Sequence, residues 1–416
     1  MSIGYACITI GENDIKFRSI RVSNASYQNM IEVIAHNLLT LDRQIDYNIR
    51  NHIGLFRISS DLIPLATHQV NTVPWEEVFK KEFERIGEKI KKSRMRVSMH
   101  PGQYTVLNSQ SNEVVEKARD DLSYHQKVLS LLGTDSSHKI VLHVGGVYQD
   151  KKASLERFIN HYRLLDDSIK ERLVIENDEK SYTAEDVLEL CEEIDIPAVF
   201  DNLHHELNPS TSFQVNEIIE LFNHTWKEKD GRQKIHYSQQ SKSQKNGSHS
   251  TTIEIEPFFD FYNLMINKDV DIMLEVKDKN LSALKISNVL YYKKDIRQLT
   301  IEWARYKYLV MSNDLKDYQL IRDKLNDGNI DLHEFYQIVE NNMNKPFSSA
   351  NQKNAAYHIF GYFKKYSDSK EISIFNHLLE NLGDSRQLNK LKSFLYRLSR
   401  KYSVDYLLHS YYFIIN

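Results

Sequence analysis

Histidines and carboxylates that end or follow short apolar runs are the residues with the clearest chemical potential in this sequence. Nine side chains share this placement: His68, His100, His143, Glu176, Asp201, His204, His236, His249 and Glu275. Divalent metals favour imidazole nitrogen and carboxylate oxygen as ligands, and a bridging carboxylate can hold two ions ~3.5–4 Å apart. A single histidine of this kind is more often a hydrogen-bonded structural residue. The prediction of a metal cluster therefore depends on whether the fold brings these residues together.

Eight apolar runs, separated by longer stretches with helical spacing, are the elements that would position them. The runs are IGYACITI, LFRISS, RVSMH, KIVLHVGG, RLVIEND, PAVFDNLH, KIHYSQQ and DIMLEVKDK. Strands that alternate with helices indicate a parallel sheet of the α/β class, and eight of them predict a (β/α)8 TIM barrel. In an open doubly wound sheet the polar residues would concentrate at one switch point instead. In a barrel all the C-terminal strand ends meet on one face, where we expect the nine side chains.

The pattern changes near residue 295, after which the segments have helical spacing and no strand candidates. We therefore predict a barrel domain over residues 1–295 and an all-α accessory domain of unknown role over residues 296–416. The polar stretch 238–252, SQQSKSQKNGSHSTT, taken by itself is typical of a disordered insert.

Bulk properties limit the class of protein more than its function. The 416 residues carry a formal net charge of −3, which is compatible with a local basic groove and does not by itself point to a partner. Apolar runs are far shorter than the ~18 residues that span a bilayer, and no signal-peptide pattern opens the chain. Two cysteines offer neither a disulfide framework nor a cysteine zinc site. We expect a cytoplasmic, monomeric protein with no membrane partner.

Seven motifs make the first 290 residues resemble the UV damage endonuclease family. They are FRISSDLIPLATH, SMHPGQYTVLNS, IVLHVGG, LVIENDEKSYT, VFDNLHHELNP, KIHYSQQ and LEVKDK, in this order and at this spacing. The resemblance implies a metal-dependent (β/α)8 barrel, related in architecture to endonuclease IV. It also implies a DNA-repair enzyme that nicks damaged double-stranded DNA immediately 5′ of UV photoproducts (cyclobutane dimers and 6-4 photoproducts) and of some abasic sites.

The resemblance also implies roles for individual residues. His68, His100 and His143 would serve one side of a three-metal cluster, Glu176 would bridge, and Asp201, His236 and Glu275 would complete the most buried ion; His204 and His249 would serve the third. Lys234 matches a family lysine that can be carboxylated and lies by the metals. The resemblance further implies that Glu176, Lys234 and His236 form the catalytic set. Manganese is the metal that the family implies, although these ligand types also admit zinc or magnesium.

Three residues are implied to contact DNA. Gln103 and Tyr104 match the family's probing pair, which enters the duplex where the damaged nucleotides leave it. Tyr5 matches a residue of the lesion pocket. In some family members an asparagine lies a few residues after this tyrosine, whereas this chain has Thr9 near that position.

The C-terminal part resembles a small helical bacterial domain of unassigned role, through WARYKYLVM, HIFGYFKK and LLHSYYF. Two functions of other classes stay open beside the endonuclease. One is a metal-dependent sugar isomerase on a related barrel, which would leave Gln103 and Tyr104 without a role. The other is a non-catalytic DNA damage-binding protein with a structural metal cluster.

Overall fold

Eight parallel strands pair in chain order and close into a barrel, as the sequence predicted. The computed structural model describes residues 1–12, 14–210 and 213–415. The strands are β1 (Ile3–Ala6), β2 (Leu55–Ile58), β3 (Arg96–Met99), β4 (Ile140–His143), β5 (Leu173–Glu176), β6 (Ala198–Asp201), β7 (Lys234–Tyr237) and β8 (Asp271–Leu274). Nearly every strand residue is buried, because helices cover the outer face of the barrel and side chains fill its interior.

Helices follow the strands and form the outer ring. They are α1 (Tyr27–Arg50), α2 (Trp75–Val78), α3 (Lys80–Ser93), α4 (Asn112–Leu131), α5 (Lys151–Arg163), α6 (Asp167–Lys170), α7 (Ala184–Ile194), α8 (Asn202–Leu207), α9 (Val215–Thr225), α10 (Ile255–Leu264) and α11 (Asn280–Tyr292). Short 3-10 turns occur at Val22–Asn24, Ser60–Leu62 and Glu228–Asp230.

Local chemistry explains where several of these elements begin. The Ser26 side chain accepts a hydrogen bond from the Asn29 amide at the start of α1. Thr183 and Asp186 form a reciprocal capping box at the start of α7, which satisfies amides that have no partner within the helix. Gly4 allows β1 to approach β2 closely, since a Cβ there would lie 2.2 Å from the Leu55 carbonyl oxygen.

Strand register brings the last residues of neighbouring strands side by side. His143 at the end of β4 is in register with Glu176 at the end of β5. Asp201 at the end of β6 is in register with His236 on β7. The parallel pairing therefore collects imidazoles and carboxylates at one end of the barrel before any side-chain contact is considered.

The chain divides into two compact units, Met1–Leu284 and Lys285–Asn416, with the division inside α11. The second unit contains α12 (Ile296–Asn313), α13 (Leu315–Asn326), α14 (Leu332–Met343), α15 (Ser349–Phe360), α16 (Ser369–Glu380), α17 (Ser385–Lys401), α18 (Asp405–Leu408) and a 3-10 turn at Tyr411–Phe413. It has its own apolar core, to which Phe360, Phe375, Leu391 and Leu395 contribute. The domain boundary at residue 295 stays a prediction. Among the described residues no helix combines the length and the apolarity that crossing a membrane requires.

Candidate metal centre

Glu176 lies at the centre of the histidines and carboxylates on this barrel face. Its Oε1 is 2.6 Å from Nδ1 of His236, and its Oε2 is 3.2 Å from Nε2 of His100 and 3.5 Å from Nε2 of His143. Its side chain is 1% exposed. Two groups of potential ligands share this carboxylate, with ligand atoms within 4.8 Å of one another in each: His100, His143 and Glu176, and Glu176, Asp201, His236 and Glu275.

The orientation of His100 toward Glu176 indicates that a cation suits the space between the two side chains. Nδ1 of His100 is 3.0 Å from the Pro101 carbonyl oxygen, which can only accept, so Nδ1 must carry the proton. Burial lowers the pKa of His100, so the ring is neutral and Nε2 keeps its lone pair. That lone pair faces a carboxylate oxygen of Glu176 at 3.2 Å. Two acceptors at this distance are a favourable arrangement when a metal ion binds both.

Buried polar atoms without partners lie in the same place. Oδ2 of Asp201 and Nδ1 of His143 are buried and have no hydrogen-bond partner among the described residues. Burial, together with the charges of Glu176 and Glu275 and against the effect of His204, raises the pKa of Asp201 to about 7. The raised pKa reflects the close approach of three carboxylates, whose mutual repulsion divalent cations would relieve. These donor types fit a cluster of such ions.

Arg57 on β2 is a functional residue that the sequence reasoning missed. Its Nη2 is 2.5 Å from Oε1 of Glu275 and 3.0 Å from Nε2 of His236. Burial opposes ionisation of Glu275, but the Arg57 guanidinium holds the pKa of this carboxyl well below its usual range. The available signal was a charged residue inside the otherwise apolar strand LFRI.

Asn177, directly after β5, is a second residue that was missed. Its Oδ1 accepts a hydrogen bond from the Asp201 amide at 2.8 Å, and its Nδ2 donates to the Asp201 carbonyl at 3.1 Å. Its own carbonyl accepts from Nδ1 of His204 at 2.9 Å, so that Nε2 is the atom of this ring that a metal would bind in place of a proton. The side chain therefore positions the end of β6, and the backbone orients a histidine.

His204 and His249 lie on the same face as Glu176. Nδ1 of His204 is 3.8 Å from Oε1 of Glu176. Burial lowers the pKa of His204, but the charges of Asp201, Glu176 and Glu275 outweigh it and raise the pKa to about 9. Burial also lowers the pKa of His249, whose ring is close enough to Glu275, His204 and Glu176 to feel their charges.

The polar stretch 238–252 is ordered, in contrast to its reading as a disordered insert. The Ser241 amide donates to the Ser248 carbonyl at 2.7 Å, and the Ser250 amide donates to the Gln239 carbonyl at 2.8 Å. Gln240 and His249 form an antiparallel bridge. These backbone bonds hold His249 near the centre, a placement that low sequence complexity concealed.

His68 and Lys234 differ in burial. His68 is exposed, its Nδ1 accepts a hydrogen bond from the Val70 amide at 3.1 Å, and neither ligand group of the described residues includes it. Its role as a ligand stays a prediction.

Lys234 on β7 is 1% exposed. Burial, together with the charges of Arg96 and Arg57, holds the pKa of Lys234 well below its usual range.

Gln103 and Tyr104 lie on an exposed turn that follows His100. The Tyr104 side chain is 83% exposed, an unusual state for an aromatic ring that is not paired with other rings. A pocket of about 310 Å³ opens beside it, lined by His100, Gln103, His143 and the loop after β5. The pocket is adjacent to the ligand groups, since His100 and His143 line it.

Tyr5 is placed differently from an exposed lesion-contacting residue. Its side chain is fully buried, its hydroxyl shares a 2.6 Å hydrogen bond with Oγ1 of Thr9, and it donates to Oδ1 of Asn48 at 2.8 Å. This placement does not support direct stacking of the Tyr5 ring on a lesion, because the ring packs against Phe56 inside the barrel. Its role in lesion binding stays a prediction.

Asn177→Ala should weaken metal binding without removing a ligand. The substitution removes two hydrogen bonds to the Asp201 backbone and takes away the partner of the buried Asp201 amide, which costs about 1–3 kcal/mol of unfolding free energy. Loss of a group that orients a metal ligand typically costs about 10–100-fold in metal affinity. Urea unfolding and a manganese titration measure the two effects. The matched control is Asn208→Ala, which loses one bond to the Asp178 carbonyl; equal metal affinity in both variants would contradict the positioning role.

Comparison with known proteins places this site in a family. A family model described as UV-endonuclease UvdE matches residues 1–307, and a model described as a protein of unknown function (DUF1722) matches residues 307–415. A UV DNA damage endonuclease of Clostridium perfringens (strain 13 / Type A) is 39% identical over 408 residues, which cover 96% of each chain. One from Bacillus cereus (strain Q1) is 33% identical over 279 residues, which are 66% of this chain and 88% of the relative.

A solved structure agrees with the sequence comparison. The crystal structure of SacUVDE superposes with a TM-score of 0.66 at 41% identity. The match covers 70% of this chain and 98% of that chain. The relatives therefore share the barrel, and the Clostridium perfringens protein also extends over the helical unit.

Proposed function

The chain belongs to the UV-endonuclease family, and from this premise we propose that it is a DNA-repair endonuclease that nicks UV-damaged duplex DNA immediately 5′ of the lesion. Cyclobutane dimers and 6-4 photoproducts are the proposed substrates, with abasic sites as a further class. The observation that carries this proposal is the pair of ligand groups sharing Glu176 beside the exposed ring of Tyr104. A hydrolytic metal centre and an aromatic probe on one face are what incision next to a distorted base pair requires.

The proposed cluster contains three divalent ions, with manganese as the metal. His100 and His143 would hold one side, and Asp201, His236 and Glu275 the buried side, with Glu176 between them. We propose His204 and His249 for the third ion, and His68 as a ligand that completes the outer side. The mutual distances within the two ligand groups support the first two of these ions.

Divalent ions bound there would lower the pKa of water and neutralise charge on the phosphodiester, so that no serine or cysteine nucleophile is needed. The protein's own residues prepare the site for this chemistry. Arg57 keeps Glu275 ionised at 2.5 Å, and burial of Glu176 and His236 excludes bulk water from them. The lowered pKa of Lys234 favours the neutral amine, which is the form that can be carboxylated, a modification that would add a further oxygen donor.

Gln103 and Tyr104 are proposed to enter the duplex at the lesion. An aromatic ring can replace the base stacking that is lost when nucleotides leave the helix, and stacking contributes about 1–3 kcal/mol per base. Extrusion is least costly where damage has already weakened pairing, so an exposed ring at this position favours damaged DNA.

A strand-nicking assay on duplexes with one defined lesion tests the proposal. Each strand is end-labelled in turn, the protein is stripped with a chelator, and manganese is added back. We expect a single cut on the damaged strand, 5′ of the lesion and dependent on manganese, with the undamaged duplex left intact. Tight binding of the lesion duplex without a cut would instead indicate a damage-binding protein. Conversion of an aldose without a cut would indicate a sugar isomerase.

A chain that ends after residue 294 should fold and nick lesion-containing DNA. The Bacillus cereus UV DNA damage endonuclease matches this chain over 279 residues that make up 88% of its own length, which leaves little of that protein for a counterpart of the helical unit. Circular dichroism, thermal unfolding and the nicking assay at saturating DNA check this expectation. An insoluble or inactive product would show that the barrel depends on the helical unit.

The monomeric state and the cytoplasmic location also stay predictions.

A further inference from the structure

The helical unit carries a charge opposite to that of the barrel. Residues 285–416 contain 20 Lys and Arg against 14 Asp and Glu, whereas residues 1–284 contain 34 against 43. A barrel of net negative charge that acts on DNA gains little long-range attraction from its overall charge. The basic excess lies in the part of the chain that the catalytic chemistry does not use.

Much of this excess lies on α17. The 17 residues of this helix, SRQLNKLKSFLYRLSRK, include six Lys and Arg and no Asp or Glu. Four of the basic side chains, Arg386, Lys390, Arg397 and Arg400, are exposed, and we call them the basic row. At 100° per residue they fall on one face of the helix, and at 1.5 Å rise per residue the row is about 21 Å long.

The basic row lacks the local compensation that helices usually have. Like charges four residues apart, such as Arg386 and Lys390, destabilise a helix. Among the described residues none of the four forms an ion pair, whereas Lys401 at the end of the helix pairs with Glu371 at 2.8 Å. In the same unit, α13 interleaves Lys316 and Arg322 with Asp317 and Asp323 in the ordinary manner of a solvated surface.

A segment that packs against the C-terminal end of α17 carries further basic and aromatic side chains. The Tyr402 hydroxyl, directly after α17, donates to the Tyr366 carbonyl at 2.9 Å, and the two rings are 6.1 Å apart. The segment 361–370 adds the exposed side chains of Lys364 and Lys365, and Tyr366 is 70% exposed. Exposed aromatic and basic side chains together are typical of nucleic-acid-binding surfaces.

We propose that the basic row binds the phosphate backbone of the DNA on which this enzyme acts, without sequence preference. The inference rests on the proposed function, since that function supplies the polyanion. One strand of duplex DNA carries a charge per about 3.4 Å of axis, so the row can face several phosphates. An anionic membrane is the less suitable partner, because the apolar face of α17, including Leu391, Phe394 and Leu395, is buried in the core of the unit and cannot insert.

The test uses the full chain with Arg386, Lys390, Arg397 and Arg400 all changed to Gln. Its matched control changes Lys294, Arg297, Lys316 and Arg322 to Gln, which removes the same charge from exposed positions of the same unit. Fluorescence anisotropy on a labelled undamaged duplex is measured from 50 to 200 mM KCl. We expect the row variant to bind at least about tenfold more weakly at 100 mM, with a slope of log K against log salt reduced by about 2–4.

The control should stay within about twofold of the wild type. Each single substitution in the row should reduce the slope by about 1, which keeps the test valid if the fourfold variant folds poorly. The proposal would be overturned if the row variant kept the wild-type affinity and salt slope for the duplex. It would also be overturned if, in a parallel measurement, the variant lost binding only to anionic phosphatidylserine vesicles. Because the duplex is undamaged, the result does not depend on nicking: a chain that never nicks can still show the row effect, and a nicking chain can lack it.

Discussion

Glu176→Gln should reduce nicking of a lesion-containing duplex by at least about 100-fold, more than the ~10–100-fold typical of losing a group that only orients a ligand. Glu176 belongs to both ligand groups, so one substitution removes a shared ligand from each. Glutamine keeps the size of the side chain but loses the charge that the imidazoles of His100 and His236 face at 3.2 and 2.6 Å. Bound manganese should fall in parallel.

Rate and metal content must be measured together in this experiment. Nicking of a defined-lesion duplex at saturating manganese gives the rate, elemental analysis gives the metal content, and circular dichroism shows that the barrel is folded. The matched control is Glu189→Gln on α7, an exposed carboxylate in the same strand–helix unit, which should leave both values unchanged. Manganese-dependent cleavage within tenfold of the wild type would refute the assignment of Glu176 as the shared ligand.

Tyr104→Ala should reduce the preference for damaged over undamaged duplex by about 5–150-fold, the equivalent of one aromatic–base stacking interaction of ~1–3 kcal/mol. The ring is 83% exposed, so its removal should not disturb the core, and the unfolding free energy should change by less than ~0.5 kcal/mol. Metal content should also stay the same, because Tyr104 belongs to neither ligand group.

The conservative variant separates stacking from hydrogen bonding. Tyr104→Phe keeps the ring and should retain most of the preference, since stacking does not need the hydroxyl. Affinities for matched duplexes with and without a single photoproduct, measured at one salt concentration, give the preference. A loss of manganese in Tyr104→Ala, or equal losses in both variants, would contradict the role of the ring as a probe.

Sequence pattern was sufficient for the barrel and for most of the metal centre. Eight apolar runs separated by amphipathic stretches predict eight parallel strands, and closure of such a sheet brings every strand end to the same face. His143, Glu176, Asp201 and His236 could therefore be placed together from their positions at the ends of runs. The argument succeeds because it uses only the topology of the barrel and needs no side-chain detail.

Residues whose role depends on long-range packing could not be found in this way. Arg57 and Asn177 act through contacts with Glu275 and Asp201, partners that are distant or not obvious along the chain. The burial of Tyr5 is also a result of packing, since its ring lies against Phe56 inside the barrel. Side-chain partners and burial depend on which loops cover a strand end, and spacing carries no information about them.

The two loops that carry His68 and His249 show the same limit. Both histidines lie outside regular strands, so periodicity cannot place either of them. Backbone hydrogen bonds between Ser241 and Ser248 bring His249 toward Glu275, while His68 stays exposed on its own turn. Likewise, the row of basic residues on α17 is visible in the sequence, but it faces solvent only because Leu391, Phe394 and Leu395 bury the opposite side of the helix. Periodicity tells which residues share a face, and only packing tells which face is left open.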